Sequence, residues 1–412
     1  MVKRCVNIDW LEVYCLESAA NYPCNAEFFR SKGYSVLERD YGTRQYREMF
    51  TILDKDNLAF IEVRRNPVAD KAAQTRGMFC PQSTHIKLAN RYCYLDNAVQ
   101  LFSEFLNSFD YTIERLYRID ICMDFEKFDK GDDPHRFLQR YMAGRYTKIN
   151  QCNLSAHAAD RWDTRDWNSA SWGSAISMVS TKIYNKTKEL AEVKDKPYIR
   201  YAWFVSHLID DFNTCEKVGE DGKKYHPNIW RVEFSIKSSA RGWFVCEDNN
   251  NSKTKMLKKE HTLATYRTRQ DLLEAFAMLA HHYFHFKVYE PEVRKDRCKD
   301  KVLFDFSLNH VPYKLDTLLT AKPQDSALKV LLKKLQAYKW RTTKPEVNRA
   351  IDLLIDDLHR IMTVESTSEY YDVTEARLLQ MLLSKRMQHI GDESFEEDYN
   401  ILKQILETSD IF

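Results

Sequence analysis

Three segments of the chain alternate polar and apolar residues with the two-residue period of a β-strand. They cover residues 118–125, 182–186 and 231–237. Because successive side chains of a strand point to opposite faces, each segment has one polar and one apolar face. The polar faces hold acids, cations and one tyrosine, namely Arg118, Asp120, Cys122 and Asp124, then Lys182, Tyr184 and Lys186, then Arg231, Glu233, Ser235 and Lys237. If the three strands lie in one sheet, a single surface carries all of these groups.

Such a surface has two interpretations. The outer face of an ordinary antiparallel sheet is polar because water solvates it, and the alternation alone favours this reading. Aspartate, however, is a poor strand former. Asp120 and Asp124 on one face would also repel each other unless a cation lies between them. The choice of residues therefore favours a functional site.

The other segments predict an α+β fold. Strand patterns dominate the first third of the chain, and helical patterns follow near residues 98–108, 134–142 and 269–284. Strands followed by a helix occur about twice before residue 290, which predicts antiparallel sheets with packed helices in two related halves. The predicted domains are an N-terminal half, 1–110, a catalytic half, 111–320, and a helical C-terminal region, 321–412.

The composition excludes several classes of protein. The chain has 62 Lys and Arg against 60 Asp and Glu, so it lacks the bulk positive charge of a histone, although a local patch is enough to bind nucleic acid. Its 10 cysteines include no Cys-x-x-Cys pair, which argues against a zinc ribbon and indicates reduced thiols in the cytoplasm. No apolar run is long enough to span a bilayer, so no membrane partner is expected.

Four stretches of the chain, in order, resemble the motifs of the replication initiation factor family. They are IDWLEVYCL (8–16), RIDICMDF (118–125), WGSAISMVSTKIYNKTKEL (172–190) and WRVEFSIK (230–237). This family comprises the trans-acting Rep proteins of rolling-circle plasmids and phages and related conjugative relaxases. The resemblance covers about residues 5–290. It implies two related α+β units and site-specific nicking of DNA by a tyrosine with a divalent metal.

The resemblance implies that Tyr184 attacks the scissile phosphate and forms a 5′-phosphotyrosyl link. Lys182 and Lys186 are expected to lower the pKa of this tyrosine from its usual value of about 10. A Mg²⁺ or Mn²⁺ ion would polarise the phosphate. Its oxygen ligands are expected among four carboxylates, Asp120, Asp124, Glu233 and Glu189. Glu189 can contribute only if the strand ends near Lys188.

Other residues could carry the same or a different chemistry. Tyr198, Tyr201 and Tyr225 are alternative nucleophiles, but the first two lie among apolar residues and the third lies in a Gly/Lys-rich turn. His282 and His285 are interpreted as core and helix-end residues rather than as metal ligands.

Contacts with DNA are expected from the polar strand faces, from a Trp-rich polar loop at 162–172 and from a basic helix at 327–340. The tryptophans of the loop either stack on unpaired bases or cap the core. The residues assigned to DNA are Arg118, Arg231, Lys237, Trp172, Lys333 and Lys334. The expected partners are single-stranded and duplex origin DNA, with a host helicase and a second protomer as further candidates.

Three functions remain open at this point. The first is a replication initiator that nicks its own origin. The second is a relaxase of a conjugative or mobilisable element, which uses identical chemistry. The third is a regulator that binds DNA without cutting it. The third is disfavoured because the tyrosine, the acids and the lysines occupy matching faces.

Overall fold

A computed structural model describes most of the first 318 residues and part of the C-terminal region. The described residues are 3–39, 42–43, 45–68, 80–150, 153–159, 166–174, 177–192, 196–238, 242–247, 255–294, 297–318, 331–332, 335–336, 339 and 345–363. Lys333 and Lys334 lie outside them, so their predicted contact with duplex DNA stays a prediction.

The described elements are strands and helices in mixed order. The strands are β1 (Cys5–Leu16), β2 (Val36–Glu38), β3 (Tyr46–Leu53), β4 (Ala59–Pro67), β5 (Ser83–Leu88), β6 (Thr112–Phe125), β7 (Tyr146–Lys148), β8 (Leu154–Ala159), β9 (Asp166–Trp172), β10 (Val179–Asn185), β11 (Lys217–Val218), β12 (Lys224–Tyr225), β13 (Trp230–Lys237), β14 (Gly242–Glu247), β15 (Lys255–Glu260), β16 (Phe286–Val288) and β17 (Asp300–Lys301). The helices are α1 (Ala26–Ser31), α2 (Asn90–Cys93), α3 (Ala98–Ser108), α4 (Pro134–Met142), α5 (Lys186–Glu192), α6 (Pro197–Val205), α7 (Arg269–Tyr283) and α8 (Pro345–Thr363).

Ten of the strands form one antiparallel sheet in the order β2-β3-β4-β5-β1-β6-β13-β10-β9-β8. The predicted α+β class, with antiparallel strands and packed helices, is confirmed. β1 pairs with β6 at the centre, so the two expected halves share this sheet. The relatedness of the halves stays a prediction.

The chain divides into two compact units. The first comprises Met1–Asp54, Ala59–Glu192 and Lys196–Leu319 and holds the ten-stranded sheet. The second comprises Lys55–Leu58, Val193–Asp195 and Thr320–Phe412. Within the second unit, α8 buries one side, with Ile351, Leu354 and Leu358 inward at helical spacing.

The apolar face of the sheet is covered by helices that begin where their sequences provide a cap. Helix α7 starts with a capping box, in which the Thr268 hydroxyl accepts a bond from the Asp271 amide at 3.1 Å and the Asp271 carboxylate accepts one from the Thr268 amide at 2.8 Å. It packs on β1 and β6. Its Phe276 ring meets Phe234 of β13 with centroids 5.0 Å apart. This packing fixes which face of β6 and β13 is left for polar groups.

A second, smaller core covers one end of the opposite, polar face. It is built by α6, whose Ile199, Ala202 and Trp203 are buried together with Cys5 of β1 and Tyr94 after α2. Because this core closes only that end, the polar residues beneath it are buried, whereas those farther along the strands are more exposed.

The described part of the Trp-rich segment, residues 166–172, is a strand and not the predicted loop. It forms β9, which pairs with β8 at 154–159, whereas Trp162 lies outside the described residues. Trp172, the last residue of β9, is fully buried, and its indole Nε1 donates to the Tyr141 hydroxyl at 3.0 Å. It lies opposite Thr181 in the register, on the apolar face. The prediction that Trp172 contacts DNA is therefore wrong, because the ring is part of the core.

No helix in the described part of the chain is both long enough and apolar enough to cross a bilayer.

Candidate functional site

The three strands with polar faces lie side by side. In the antiparallel register, Glu233 of β13 lies opposite Cys122 of β6 on one side and opposite Lys182 of β10 on the other. Tyr184 lies opposite Arg231 in the same way. The predicted surface therefore exists, and the strand order β6-β13-β10 places its acids, cations and tyrosine next to one another.

Arg231 and Asp124 form a fully buried ion pair at the covered end of this surface. Arg231 donates from Nε to Asp124 Oδ1 at 2.6 Å and from Nη2 to Oδ2 at 2.7 Å. Trp203 Nε1 of α6 donates to the same Oδ2 at 2.7 Å. Two predictions are corrected here. Arg231 has no exposed surface with which to bind DNA, and the oxygens of Asp124 are taken up by donors of this chain rather than by a metal.

Asp9 extends this cluster. Its carboxylate forms an ion pair with Arg231, with Nη1 at 3.0 Å, and accepts a hydrogen bond from the Tyr94 hydroxyl at 2.7 Å. The register of β1 shifts between Ile8 and Trp10, and this bulge lets the successive residues Asp9 and Trp10 both face the polar side. Burial opposes ionisation of Asp9, but Arg231 and Lys186 outweigh it and hold its pKa well below the ordinary value.

Tyr184 lies beside Glu233, one of the predicted metal ligands, and beside the two predicted cations. Its hydroxyl donates to Glu233 Oε2 at 3.0 Å, and Lys186 Nζ donates to the same hydroxyl at 3.5 Å. The Lys182 ammonium lies 4.5 Å from the centre of the Tyr184 ring. Strand β10 ends at Asn185, and Lys186 is the first residue of α5. The strand thus ends before Lys188, which is the condition under which Glu189 could contribute. The structure thus brings together Tyr184, Lys182, Lys186 and Glu233, with 9% of the tyrosine exposed.

The protonation of this group differs from the expectation. Burial and the neighbouring Glu233 raise the pKa of Tyr184 well above 10, so the predicted lowering by the two lysines is wrong. Burial, with Asp120 and Asp9 nearby, raises the pKa of Glu233 to about 7. Burial and Arg231 lower the pKa of Lys186. The site therefore holds a neutral phenol hydrogen-bonded to a carboxyl group that titrates near neutral pH.

Asp120 and Arg118 form a second pair on the more open side. Arg118 donates to the Asp120 carboxylate from Nε at 2.9 Å and from Nη2 at 2.5 Å, and to Ser235 Oγ at 3.1 Å. Burial raises the pKa of Asp120 even though Arg118 opposes this shift. The Arg118 side chain is 35% exposed, and Lys237 lies opposite it in the register. Unlike Arg231, these two cations are on a side that a ligand can reach.

The four predicted metal ligands do not form one coordination site. Asp124 is bound by Arg231, Asp120 by Arg118, and Glu189 by Lys186 and by Lys196, the last at 3.3 Å. In the part of the chain that is described, no group of three or more His, Cys, Asp or Glu residues is placed to hold a metal ion. These carboxylates are thus placed to pair with cations of this chain and not to coordinate Mg²⁺ or Mn²⁺. The metal stays a prediction without a site.

Comparisons with known proteins add little to this geometry. No protein-family model matches the chain, and no curated protein matches it. Among solved structures, the rolling circle replication initiator protein from Geobacillus stearothermophilus is similar over 74% of this chain and 93% of its own, with 11% identity and a TM-score of 0.40. A likeness of that size carries no argument about function, so the proposals below rest on the side chains of this chain.

Replacing Arg231 tests whether the buried pair holds the site together. Arg231→Ala leaves Asp124 and Asp9 buried without their cation, so we expect a loss of about 3–5 kcal/mol in the free energy of unfolding. Urea unfolding followed by tryptophan fluorescence measures it. Arg140→Ala is the matched control, because Arg140 also pairs through two bonds with an aspartate, Asp132, but is 44% exposed. A loss for Arg231→Ala no larger than that of the control would contradict the analysis.

The raised pKa of Glu233 predicts a specific pH dependence of stability. A carboxyl whose pKa is higher in the folded than in the unfolded state stabilises the fold at low pH, and this contribution is lost as pH rises from about 4.5 to about 7. Glu233→Gln should therefore gain stability relative to the wild type over this window, on the order of 1 kcal/mol.

Glu189→Gln provides the control of opposite sign. Burial acts against the ionised form of Glu189, but Lys186 and Lys196 hold its pKa below the ordinary value. Its contribution is present above the unfolded-state pKa and is lost as pH falls, so this variant should be less stable than the wild type at pH 7. Parallel curves for both variants and the wild type would show that neither carboxyl is perturbed.

Proposed function

We propose that the protein is a rolling-circle-type replication initiator that nicks one DNA strand by transesterification at Tyr184. The observation that carries the proposal is the 3.0 Å hydrogen bond from the Tyr184 hydroxyl to Glu233. A tyrosine is a weak nucleophile until a base takes its proton. A carboxyl with a pKa near 7 suits that task, because it is partly ionised at neutral pH and still basic enough to accept a proton.

In the proposed step, the Tyr184 oxygen forms a bond to the scissile phosphorus while Glu233 Oε2 takes the phenolic proton. The bond between phosphorus and the 3′ oxygen breaks, and that oxygen receives a proton from the exposed Lys182 ammonium. Lys186 is buried and holds the Tyr184 oxygen through its own hydrogen bond. The products are a 5′-phosphotyrosyl link and a free 3′-OH. Reversal of the same transfers rejoins the strand, since Glu233 then returns the proton to Tyr184.

Two cations are placed to counter the charge that develops on the phosphate. Lys182 is exposed and lies over the Tyr184 ring, and Arg118 reaches the same surface from β6. Charge-assisted contacts of this kind act most strongly where water is excluded. Arg231 has a different role, since it is buried and holds Asp9, Asp124 and Tyr94 in place behind the reacting group.

A second candidate is a protein that binds DNA without cutting it. It is favoured by the burial of Tyr184 and by the pairing of Asp120, Asp124 and Glu189 with cations of the chain. A relaxase would use the same reacting groups as an initiator. The tests of the nucleophile and of the base, given below, distinguish a protein that cuts DNA from one that only binds it. Nicking at a replication origin would indicate an initiator, and nicking at a transfer origin would indicate a relaxase.

The nucleophile is tested with Tyr184→Phe and a supercoiled plasmid carrying the chain's own replicon, in the presence of Mg²⁺. We expect the wild type to give nicked circles with protein attached to a 5′ end. The variant should give no adduct, with its affinity for DNA changed less than about twofold, because only one hydroxyl is lost. Gel mobility after denaturation and peptide mapping of the adduct are the readouts.

Tyr225→Phe is the matched control, since the Tyr225 hydroxyl also donates to a glutamate, Glu126 Oε1, at 2.8 Å. It should form the adduct normally. A nucleotide mapped to Tyr198, Tyr201 or Tyr225 would show that this residue, and not Tyr184, is the nucleophile, while the proposed nicking activity would stand. No adduct with the wild type would favour the protein that only binds DNA.

The base is tested by the pH dependence of nicking. Glu233 must be ionised to accept the proton, so the rate at saturating DNA should rise with pH and reach half its plateau near pH 7. Glu233→Gln should lower the rate by about 10²–10⁴-fold and remove this rise. Glu126→Gln, which alters the glutamate beside Tyr225, should leave both unchanged. The same midpoint in the Glu233 variant would exclude Glu233 as the base.

A further inference from the structure

Three cations on the polar side of the sheet lie over aromatic rings. None of the three forms an ion pair with any acidic residue in the described part of the chain. They are Lys182 over Tyr184 at 4.5 Å, Lys87 over Trp10 at 3.4 Å and Arg115 over Tyr14 at 4.8 Å, each measured to the ring centre. A cation held by a ring keeps its full charge, whereas one held by a carboxylate is neutralised. These three positions therefore remain available to an anion.

Two of these pairs follow β1 along one face. Trp10 and Tyr14 are separated by Glu12, which shares their face, and Lys87 and Arg115 reach them from the strands on either side. Arg118 also lies 4.6 Å from the centre of Trp10.

The acid between the two rings does not cancel this charge. Glu12 is buried and accepts a bond from Arg64 at 3.2 Å, with His85 Nδ1 at 3.3 Å from the same oxygen. Burial opposes ionisation of Glu12, but the bond to His85 and the charge of Arg64 lower its pKa all the same. The carboxylate is thus satisfied from within. Glu62 of β4, which lies opposite Lys87, forms its ion pair with Arg64, so both acids beside Lys87 are matched by another cation.

The rings themselves are partly exposed and lie close together. The ring of Tyr117 is centred 4.2 Å from that of His85, and Tyr14 meets the same histidine at 5.3 Å. Trp10, Tyr14 and Tyr117 are all partly exposed. Cations interleaved with such rings are the pattern that binds single-stranded nucleic acid, in which phosphates meet cations and bases meet aromatic faces.

We infer that this strip along β1, formed by Trp10, Tyr14, Lys87, Arg115, Tyr117 and Arg118, binds the unpaired DNA strand next to the scissile phosphate. The inference rests on the proposed function, because that function supplies the strand. β1 and β10 are separated by β6 and β13, which places the strip roughly 14 Å from β10 across the sheet. The register aligns Trp10 with Ser180, so its near end also lies roughly 13 Å from Tyr184 along the strands. A strand held by Lys87 and Arg115 would thus pass over Arg118 to Lys182 and the nucleophile.

The strip is tested by the salt dependence of binding. The full chain with Tyr184→Phe, which binds without cutting, is titrated into a fluorescein-labelled oligo-dT, and anisotropy is measured in about 0.05–0.3 M KCl. Each cation that contacts a phosphate of a single strand contributes about 0.7 to the slope of log affinity against log salt. Lys87→Gln and Arg115→Gln should each lower this slope by about 0.7 and weaken binding about fivefold at 0.1 M salt.

Two controls separate loss of charge from loss of structure. Lys87→Arg and Arg115→Lys keep the charge and should restore both affinity and slope. Lys223→Gln removes a lysine that is 85% exposed in the turn before β12 and should change neither.

Two outcomes would overturn the inference. The first is an unchanged salt slope in both glutamine variants. The second is tighter binding of a duplex of the same length, with the same loss in both variants, which would make the strip a duplex-binding surface.

The strip and the proposed chemistry fail in different ways. If the wild type forms no adduct with DNA but the glutamine variants lose affinity for oligo-dT, the chemistry is wrong and the strip stands. If the wild type forms the adduct at Tyr184 but the variants bind oligo-dT like their parent, the strip is wrong and the chemistry stands.

Discussion

The buried pair of Arg231 and Asp124 is the interaction on which the rest of the site depends. Two charges removed from water are tolerated when they pair with each other and further partners meet their remaining polar atoms. Here the carboxylate also receives the Trp203 indole, and the guanidinium also reaches Asp9 and Tyr94. These partners come from α6, from the bulge in β1 and from the end of α2. Together with β6 and β13, which supply the pair itself, five separate pieces of the chain therefore meet at this one interaction.

Much of this surface could be predicted from the alternation of residues. The parity of 118–125 and 231–237 assigned Asp120, Asp124 and Glu233 to one face, and in the structure these residues do share it. Asp9 was missed because alternation was applied to only three segments, and β1 was not among them. Trp172 was misassigned because its segment was taken for a loop. It lies in β9, opposite Thr181 of β10, and this position puts its ring in the core. Alternation therefore predicted the faces of the strands to which it was applied and failed where a strand was not considered or not identified.

The chemistry was harder to predict than the faces, because it depends on burial and on partners from distant parts of the chain. Two lysines near Tyr184 suggest a lowered pKa, yet burial and Glu233 together raise it. Four acids suggest a metal, yet Arg231, Arg118 and Lys186 occupy three of them. Pairing across strands and helices is set by the tertiary structure. A list of residues on one face does not contain that information.

Cations on this face of the sheet are held in two ways, by acids at one end and by aromatic rings at the other. The difference depends on which part of the face α6 covers. Beneath α6, where water is excluded, each cation is matched by an acid, because an unpaired buried charge is too costly. Toward Trp10 and Tyr14 the face is more open, and Lys87 and Arg115 rest on aromatic rings without an ion pair to any acid that the structure describes. Tyr184 and Glu233 lie at the border between these regions. A phosphate that enters from the open side would first meet Lys87 and Arg115, which rest on aromatic rings. It would reach the rigid, charge-balanced group around Tyr184 last. This order suits a surface that must hold a flexible polyanion against a fixed nucleophile.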